Sequence, residues 1–258
     1  MTSVNKNIVF IVDIDLEGDG RWASSRRAPY QYSIKSWSAW CKKNDCELFI
    51  LSDLLMPHEQ MGICWQRYYL FDILEANKIN YNQILSVDAD TIVHPDCPNF
   101  FEMTENKLCG VHNDGSYDWV IRSIENYSKH FFKGHILPFW KYIDCGFVIV
   151  NEKHKSFFKS IVDFYHTNAD NLLQVEKQWH TGTDQTPVNF LIEEHNIDLK
   201  LFPYEFNMID LNRKELLTPD LPFTDIGYIY QYNGIPNNSN DELTLYWMKK
   251  TYETLYEN

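Results

Sequence analysis

The sequence predicts an α/β fold with a mostly parallel central sheet flanked by helices. Short apolar runs rich in β-branched residues alternate with segments at helical spacing. Two of those runs, Ile8–Val12 and Ile84–Val87, stop abruptly at an aspartate. The 258 residues are 44% hydrophobic, enough to bury a sizeable core. With no repeat, low-complexity tract or linker, residues 1–258 are expected to form a single domain.

Ile8–Val12 is a continuous apolar run, the pattern of a strand buried on both faces, and ends at Asp13. The polar loop that follows carries Asp15 and lone glycines without a Gly-x-Gly-x-x-Gly fingerprint, which disfavours a dinucleotide fold. Tyr30, Ile34, Trp37 and Cys41 fall near helical spacing in the segment to Lys43, and Glu47–Leu51 reads as the second strand. Ile63–Ala76 is predicted helical, with Trp65, Tyr69, Leu70, Ile73 and Leu74 on a broad apolar face. Arg67 lies off the centre of that face near the helix start, a favoured place to meet phosphate; a solvated surface arginine is the competing reading. Ile84–Val87 and Thr91–Val93 read as short strands, the second closed by Pro95, and Leu108–His112 as another. Gly115–Gly134 shows no clean period. Phe147–Val150 reads as a buried strand preceded by Asp144-Cys145-Gly146, whose glycine lets backbone approach a ligand closely. Phe157–Tyr165 is an amphipathic helix. Thr181–Asn189 opens the next one, with Thr183 or Asp184 as its cap and Pro187 in its first turn. Leu199–Phe202 and Ile226–Tyr232 are strands, the latter leading into an Asn233-Gly234-Ile235-Pro236 turn, and Leu243–Tyr256 closes the chain as a helix.

A net charge of -13 argues against nucleic acid or an anionic membrane as the main partner. A diphosphate-bearing substrate would need a metal or a few placed arginines to offset that field. The six cysteines are dispersed without a Cys-x-x-Cys pair, so reduced thiols in a cytoplasmic protein are expected. Met1–Asn7 is polar and does not read as a signal peptide, and no apolar stretch reaches membrane-span length, so no integral membrane segment is expected.

Asp88-Ala89-Asp90 ends a buried strand, the place where open α/β sheets bind ligands. Two carboxylates there are costly unless something positive sits between them. Asp-x-Asp puts hard oxygen ligands within reach of one divalent cation, which can also hold a diphosphate. Taken alone the motif reads equally as a turn with two solvated aspartates, so its surroundings decide.

Trp65-Gln66-Arg67, Asp88-Ala89-Asp90, Asp144-Cys145-Gly146 with Thr183-Asp184-Gln185, and Gln231-Tyr232-Asn233-Gly234 follow one another along the chain. Together they resemble glycosyltransferases with a GT-A fold, most closely the retaining group related to glycogenin and the bacterial galactosyltransferases of glycosyltransferase family eight. The resemblance runs from Ile8 to about Pro236. It implies a GT-A fold, a nucleotide-sugar donor (uridine diphosphate being the family's habit), Mn2+ or Mg2+, and a glycan or other hydroxyl acceptor. By the same resemblance Arg67 contacts the donor phosphates, and Asp88 and Asp90 bind the metal and diphosphate. Asp144-Cys145-Gly146 stands for an Asn-Ala-Gly that lines the donor sugar, and Asp184 and Gln185 sit under its anomeric carbon. Asp13 and Asp15 lie where the family seats the nucleotide base. Gln231, with Asn233 and Gly234 after it, occupies the motif that supplies the third metal ligand.

The chain departs from the family twice. Gln231 replaces a histidine and would be a weaker ligand for manganese than imidazole. Asp144 replaces an asparagine and adds negative charge near the reacting centre. Transfer with retention is the leading expectation, with Asp144, Asp184 or Gln185 stabilising the face opposite the leaving group; a covalent step through Asp144 or Asp184 stays open. The rivals are an inverting transferase, which needs a carboxylate base near the acceptor, and a non-catalytic sugar-nucleotide or glycan-binding protein on the same scaffold. Trp119, Trp140 and Trp179 are candidates for stacking on acceptor sugars, core packing being the competing reading.

Overall fold

Apolar runs too short for helices pair side by side in the computed structural model, which describes residues 5–14, 27–238 and 241–257. The strands are β1 (Lys6–Val12), β2 (Glu47–Leu51), β3 (Tyr81–Val87), β4 (Thr91–Val93), β5 (Leu108–His112), β6 (Ile143–Asn151), β7 (Leu199–Phe202) and β8 (Ile229–Gln231). Six of them form one sheet in the order β2-β1-β3-β6-β5-β7, while β4 and β8 make a separate two-stranded ribbon. The helices are α1 (Arg27–Lys43), α2 (Ile63–Gln66), α3 (Leu70–Ala76), α4 (Tyr117–His130), α5 (Lys155–Trp179), α6 (Gln185–Glu194) and α7 (Glu242–Tyr256). The architecture is the mixed α/β one that the sequence predicts.

Side chains alternate across each strand, so one run serves two cores. Ile8 and Phe10 of β1 and Ile84 of β3 face a core built with α3, α4, α5 and α6. Val9, Ile11, Leu85 and Val87 face the other, with Trp37 and Trp40 of α1 and Phe100. A third cluster lies between the β4–β8 ribbon and Met248 of α7.

One strand runs against the rest. β6 is antiparallel to both β3 and β5, whereas β1 is parallel to β2 and β3, and β5 to β7. The start of β6 therefore lies at the edge where the parallel strands end, with Phe147 opposite Val87 and Asp144 opposite Val111. This extends the strand expected over Phe147–Val150 back to Ile143, so Asp144-Cys145-Gly146 lies within it, and all nine residues are buried.

Four other boundaries differ from expectation for local reasons. The helix expected over Ile63–Ala76 is interrupted by a 3-10 turn at Arg67–Tyr69, which sets the direction in which Arg67 leaves the chain. Helix α4 forms in the stretch without a clean period because buried Ser123, Asn126 and Ser128 interrupt its apolar stripe. Helix α5 continues well past Tyr165, carried by buried Leu172 and Val175, and ends at His180 in the left-handed region at φ 50°. β8 is three residues rather than seven, preceded by a 3-10 turn at Pro222–Asp225. All six cysteines are free thiols, and among the described residues no helix is long and apolar enough to cross a membrane.

Phe100 ties the second core together. Its ring stacks on Trp40 at 4.4 Å between centroids, the two planes nearly parallel at 1°, and meets Phe147 edge-on at 5.5 Å. Phe100→Ala is expected to cost about 3–5 kcal/mol in urea denaturation, the usual range for deleting a buried aromatic ring. Leu201→Ala, on the half-exposed edge strand β7, should cost much less.

Candidate active site

The 3-10 turn between α2 and α3 delivers Arg67 to the end of β3. Its Nη1 pairs with Asp88 Oδ1 at 2.7 Å and donates to the Cys145 carbonyl at 2.9 Å, while Nε donates to the Cys64 carbonyl at 3.1 Å. Burial works against the guanidinium's charge, but Asp88 and Asp184 overcome it and raise its pKa above the ordinary value. This is not a solvated surface arginine.

Asp88 is the first residue past β3, and its N–H donates to the Gly146 carbonyl at 3.0 Å. Its second carboxylate oxygen, Oδ2, accepts from Gln231 Nε2 at 2.9 Å. Gln231 reaches it because β8 pairs with β4, placing Gln231 opposite Thr91. Gln231 Oε1 is left buried with no hydrogen-bond partner. A Cβ on Gly146 would lie 2.6 Å from Gln231 Oε1, 2.6 Å from Asp144 Oδ1 and 2.9 Å from Asp88 Oδ2. Three oxygens thus crowd one point, and only glycine fits beneath them.

Asp144, 7% exposed, accepts from three groups. Gly146 N–H and Asn207 Nδ2 reach Oδ1 at 2.7 and 3.1 Å, and Asn113 Nδ2 reaches Oδ2 at 3.2 Å. Burial and the neighbouring Asp88 charge nevertheless push its pKa up to about 7. Asp184 occupies the N-cap position of α6 but makes no capping hydrogen bond. Its carboxylate instead accepts from the Tyr68 hydroxyl at 2.8 Å and the Thr183 hydroxyl at 2.8 Å, so the expected cap is replaced by a buried polar contact. Gln185 Oε1 accepts from Cys145 N–H at 3.1 Å, leaving its Nε2 buried and without a partner.

A cavity of about 600 Å³ opens beside this cluster, walled by Val12 and Ile14, by Gly62–Trp65 and Arg67, and by Ser86–Asp90, Leu172 and Thr183. Asp90 lines it, its carbonyl accepting from Tyr232 N–H at 2.9 Å. Asp13 is buried at the end of β1, with its N–H bonded to the Leu51 carbonyl at 2.9 Å. Asp15 lies outside the described residues. Asn233 and Gly234 turn toward Asp210: Asn233 Oδ1 accepts from Asp210 N–H at 2.9 Å, and Gly234 adopts φ +63° against its carboxylate. Of the tryptophans, Trp119 packs on Gly182, while Trp140 and Trp179 are exposed.

Asn113, Asn207 and Tyr68 belong to this cluster but carry no sequence signal. Asn113 stands in a polar loop, Asn207 is a single polar residue between Phe206 and Met208, and Tyr68 is not on the predicted apolar helix face.

The donor set available to a cation is Asp88, Asp90 and the partnerless Gln231 Oε1, all oxygen, which suits a hard divalent ion. Among the described residues no group of three or more His, Cys, Asp or Glu side chains is placed to hold a metal. The amide would therefore have to complete the set.

No protein-family model and no curated protein matches the sequence. Solved structures do match in fold. A glycosyltransferase involved in the glycosylation of the major capsid of PBCV-1 superposes with a TM-score of 0.57 at 11% identity, over 92% of this chain and 98% of that one. The fold is GT-A. Glycosyltransferase GlyE of Streptococcus pneumoniae TIGR4 gives 0.54 at 14% identity, over 98% of this chain but 62% of that one. The WbbM bifunctional glycosyltransferase gives 0.50 at 12%, over 91% and 47%. The chain thus spans nearly all of the first protein and about three fifths or less of the other two.

Between the ordinary carboxylate value near ~4 and about 7, folded Asp144 keeps a proton that the unfolded chain has released. Its contribution therefore falls as pH rises through that window and is flat above it. In metal-free buffer, Asp144→Asn should abolish that part of the decline, gaining up to about 4 kcal/mol over wild type between pH 4 and 7 in parallel urea titrations. Equal pH slopes for the two proteins would contradict the raised value.

Proposed function

We propose that the chain is a metal-dependent glycosyltransferase of the family-eight kind. It would move a sugar from a nucleotide diphosphate donor, with uridine diphosphate as the expected carrier, to an acceptor hydroxyl with retention. The observation that carries the reading is the convergence of Arg67, Asp88, Asp144, Gly146 and Gln231 at the strand ends beside a donor-sized cavity. The glycosyltransferase structures that share the fold support glycosyl transfer as the reaction class.

Arg67 brings positive charge to the cavity wall and holds Asp88 in place, so a diphosphate meets a cation in an otherwise acidic protein. Asp88, Asp90 and Gln231 would hold Mn2+ or Mg2+, which when bound neutralises charge on the departing diphosphate. Gly146 leaves room where its neighbours' oxygens gather. Asp144, Asp184 and Gln185, which accept from Gly146 N–H, the Tyr68 hydroxyl and Cys145 N–H, would stabilise positive charge developing at the anomeric carbon. Asp144 and Asp184 are each pinned by hydrogen-bond donors, which lowers their readiness to attack. This favours approach of the acceptor hydroxyl on the leaving-group face, its proton passing to a phosphate oxygen, over a covalent intermediate.

Asp88 has both oxygens engaged, by Arg67 and by Gln231. That favours, as second reading, a sugar-nucleotide-binding protein without transfer activity. Thermal melts with uridine or guanosine diphosphate, each with and without Mn2+, test donor binding. Saturating uridine diphosphate with Mn2+ should raise the melting temperature by roughly 5–10 °C, from about 2.7 kcal/mol of linkage at a hundredfold excess over Kd. Asp88→Ala and Gly146→Ala should lose that rise. No shift with either nucleotide would overturn donor binding. A shift without sugar transfer or donor hydrolysis would favour the second reading.

A further inference from the structure

The loop leaving β5 links the reacting cluster to a surface patch of aromatic rings. Asn113, which donates to Asp144, takes the Tyr142 carbonyl on its N–H at 2.8 Å. Its neighbour His112 donates from Nε2 to the Phe139 carbonyl at 3.0 Å. These bonds hold the 3-10 turn Phe139–Lys141 against the C-terminal end of β5, directly before Asp144 on β6. Phe139 and Trp140 project from that turn, and Tyr117 from the first turn of α4 meets Phe139 edge-on at 5.3 Å between centroids. Tyr117 is 63% exposed, Trp140 59% and Phe139 36%. Three large rings left in water side by side mark an interaction surface.

Its surroundings define the partner's chemistry. The loop at the foot of the patch is polar: Lys214 pairs with Asp114 at 2.7 Å, and Arg213 donates to Ser116 Oγ at 3.2 Å. A pyranose has an apolar C–H face that suits the electron-rich face of an aromatic ring, and equatorial hydroxyls that suit such a rim. Position narrows it further. The cavity lies over the ends of β1 and β3, while the patch lies beyond β6, at the end of β5, on the other side of Asp144. A donor in the cavity leaves this as the flank from which a second sugar can approach.

We propose that Tyr117, Phe139 and Trp140 form the acceptor platform and that the acceptor is a saccharide, stacked by its pyranose ring so that one hydroxyl reaches the cluster around Asp144. The proposal rests on the glycosyltransferase reading and adds the acceptor's class to it.

The test is a microarray printed with defined oligosaccharides of hexose and N-acetylhexosamine, together with the sugar-free linker and unglycosylated peptides, probed with the full chain. Selective retention on oligosaccharides is expected. Trp140→Ala and Tyr117→Ala should each lower it about ten-fold or more, with circular dichroism melts matching wild type because both side chains are exposed. Retention untouched by either substitution, equal retention on bare peptides, no retention on any oligosaccharide, or a patch covered in a dimer by light scattering would each overturn the proposal. The nucleotide melts of wild type separate the two readings. A nucleotide shift without glycan retention leaves donor binding standing and removes the platform; glycan retention without a nucleotide shift removes donor binding and leaves the platform as a glycan-binding surface.

Discussion

The Arg67 guanidinium stands among the carboxylates of Asp88, Asp144 and Asp184, and the arrangement of the strand ends depends on it. It touches Asp88 directly and acts on the other two through the field inside the cluster. Carboxylates this close together, removed from water, repel one another and lose hydration. One cation cannot satisfy three such groups, and Asp144 shows the remainder: its proton affinity climbs to about 7 despite three hydrogen-bond donors. The cluster is thus short of positive charge as it stands. The orphaned Gln231 Oε1 adds one more oxygen without a partner at the same point.

The reversed strand β6 makes this crowding possible. A parallel strand at its place in the sheet would have brought its C-terminal end to the edge where β3 and β5 stop. Running antiparallel, β6 brings Asp144 there instead, paired with Val111, and Gly146 two residues on, its carbonyl accepting from Asp88 N–H. The carboxylate is therefore held by a backbone ladder, and its neighbour must lack a side chain. The β4–β8 ribbon then folds Gln231 over the same point. Rigid pairing on two sides fixes polar atoms that would otherwise separate and hydrate.

Much of this was legible in the sequence because it is encoded locally. Continuous apolar runs reveal buried strands, and an aspartate pair ending such a run at Val87 reveals a strand-end cluster. The ordered short motifs pointed to the GT-A fold, and the structure carries that fold. Where local pattern was weak, the reading was weak: buried serines and an asparagine masked α4, and Asn233 and Gly234 turned out to face Asp210.

The amino-acid sequence by itself determined most of the strands, the burial of β1 and β3 on both faces and the position of Asp88 and Asp90 at a strand end, because side-chain period and burial are properties of consecutive residues. Tertiary structure alone decided who meets Asp144 and Asp184. Asn113 lies 31 residues from Asp144 and Asn207 63 residues, while Tyr68 lies 116 residues from Asp184. Such pairings depend on strand direction and loop closure over the whole sheet, and no local period records them.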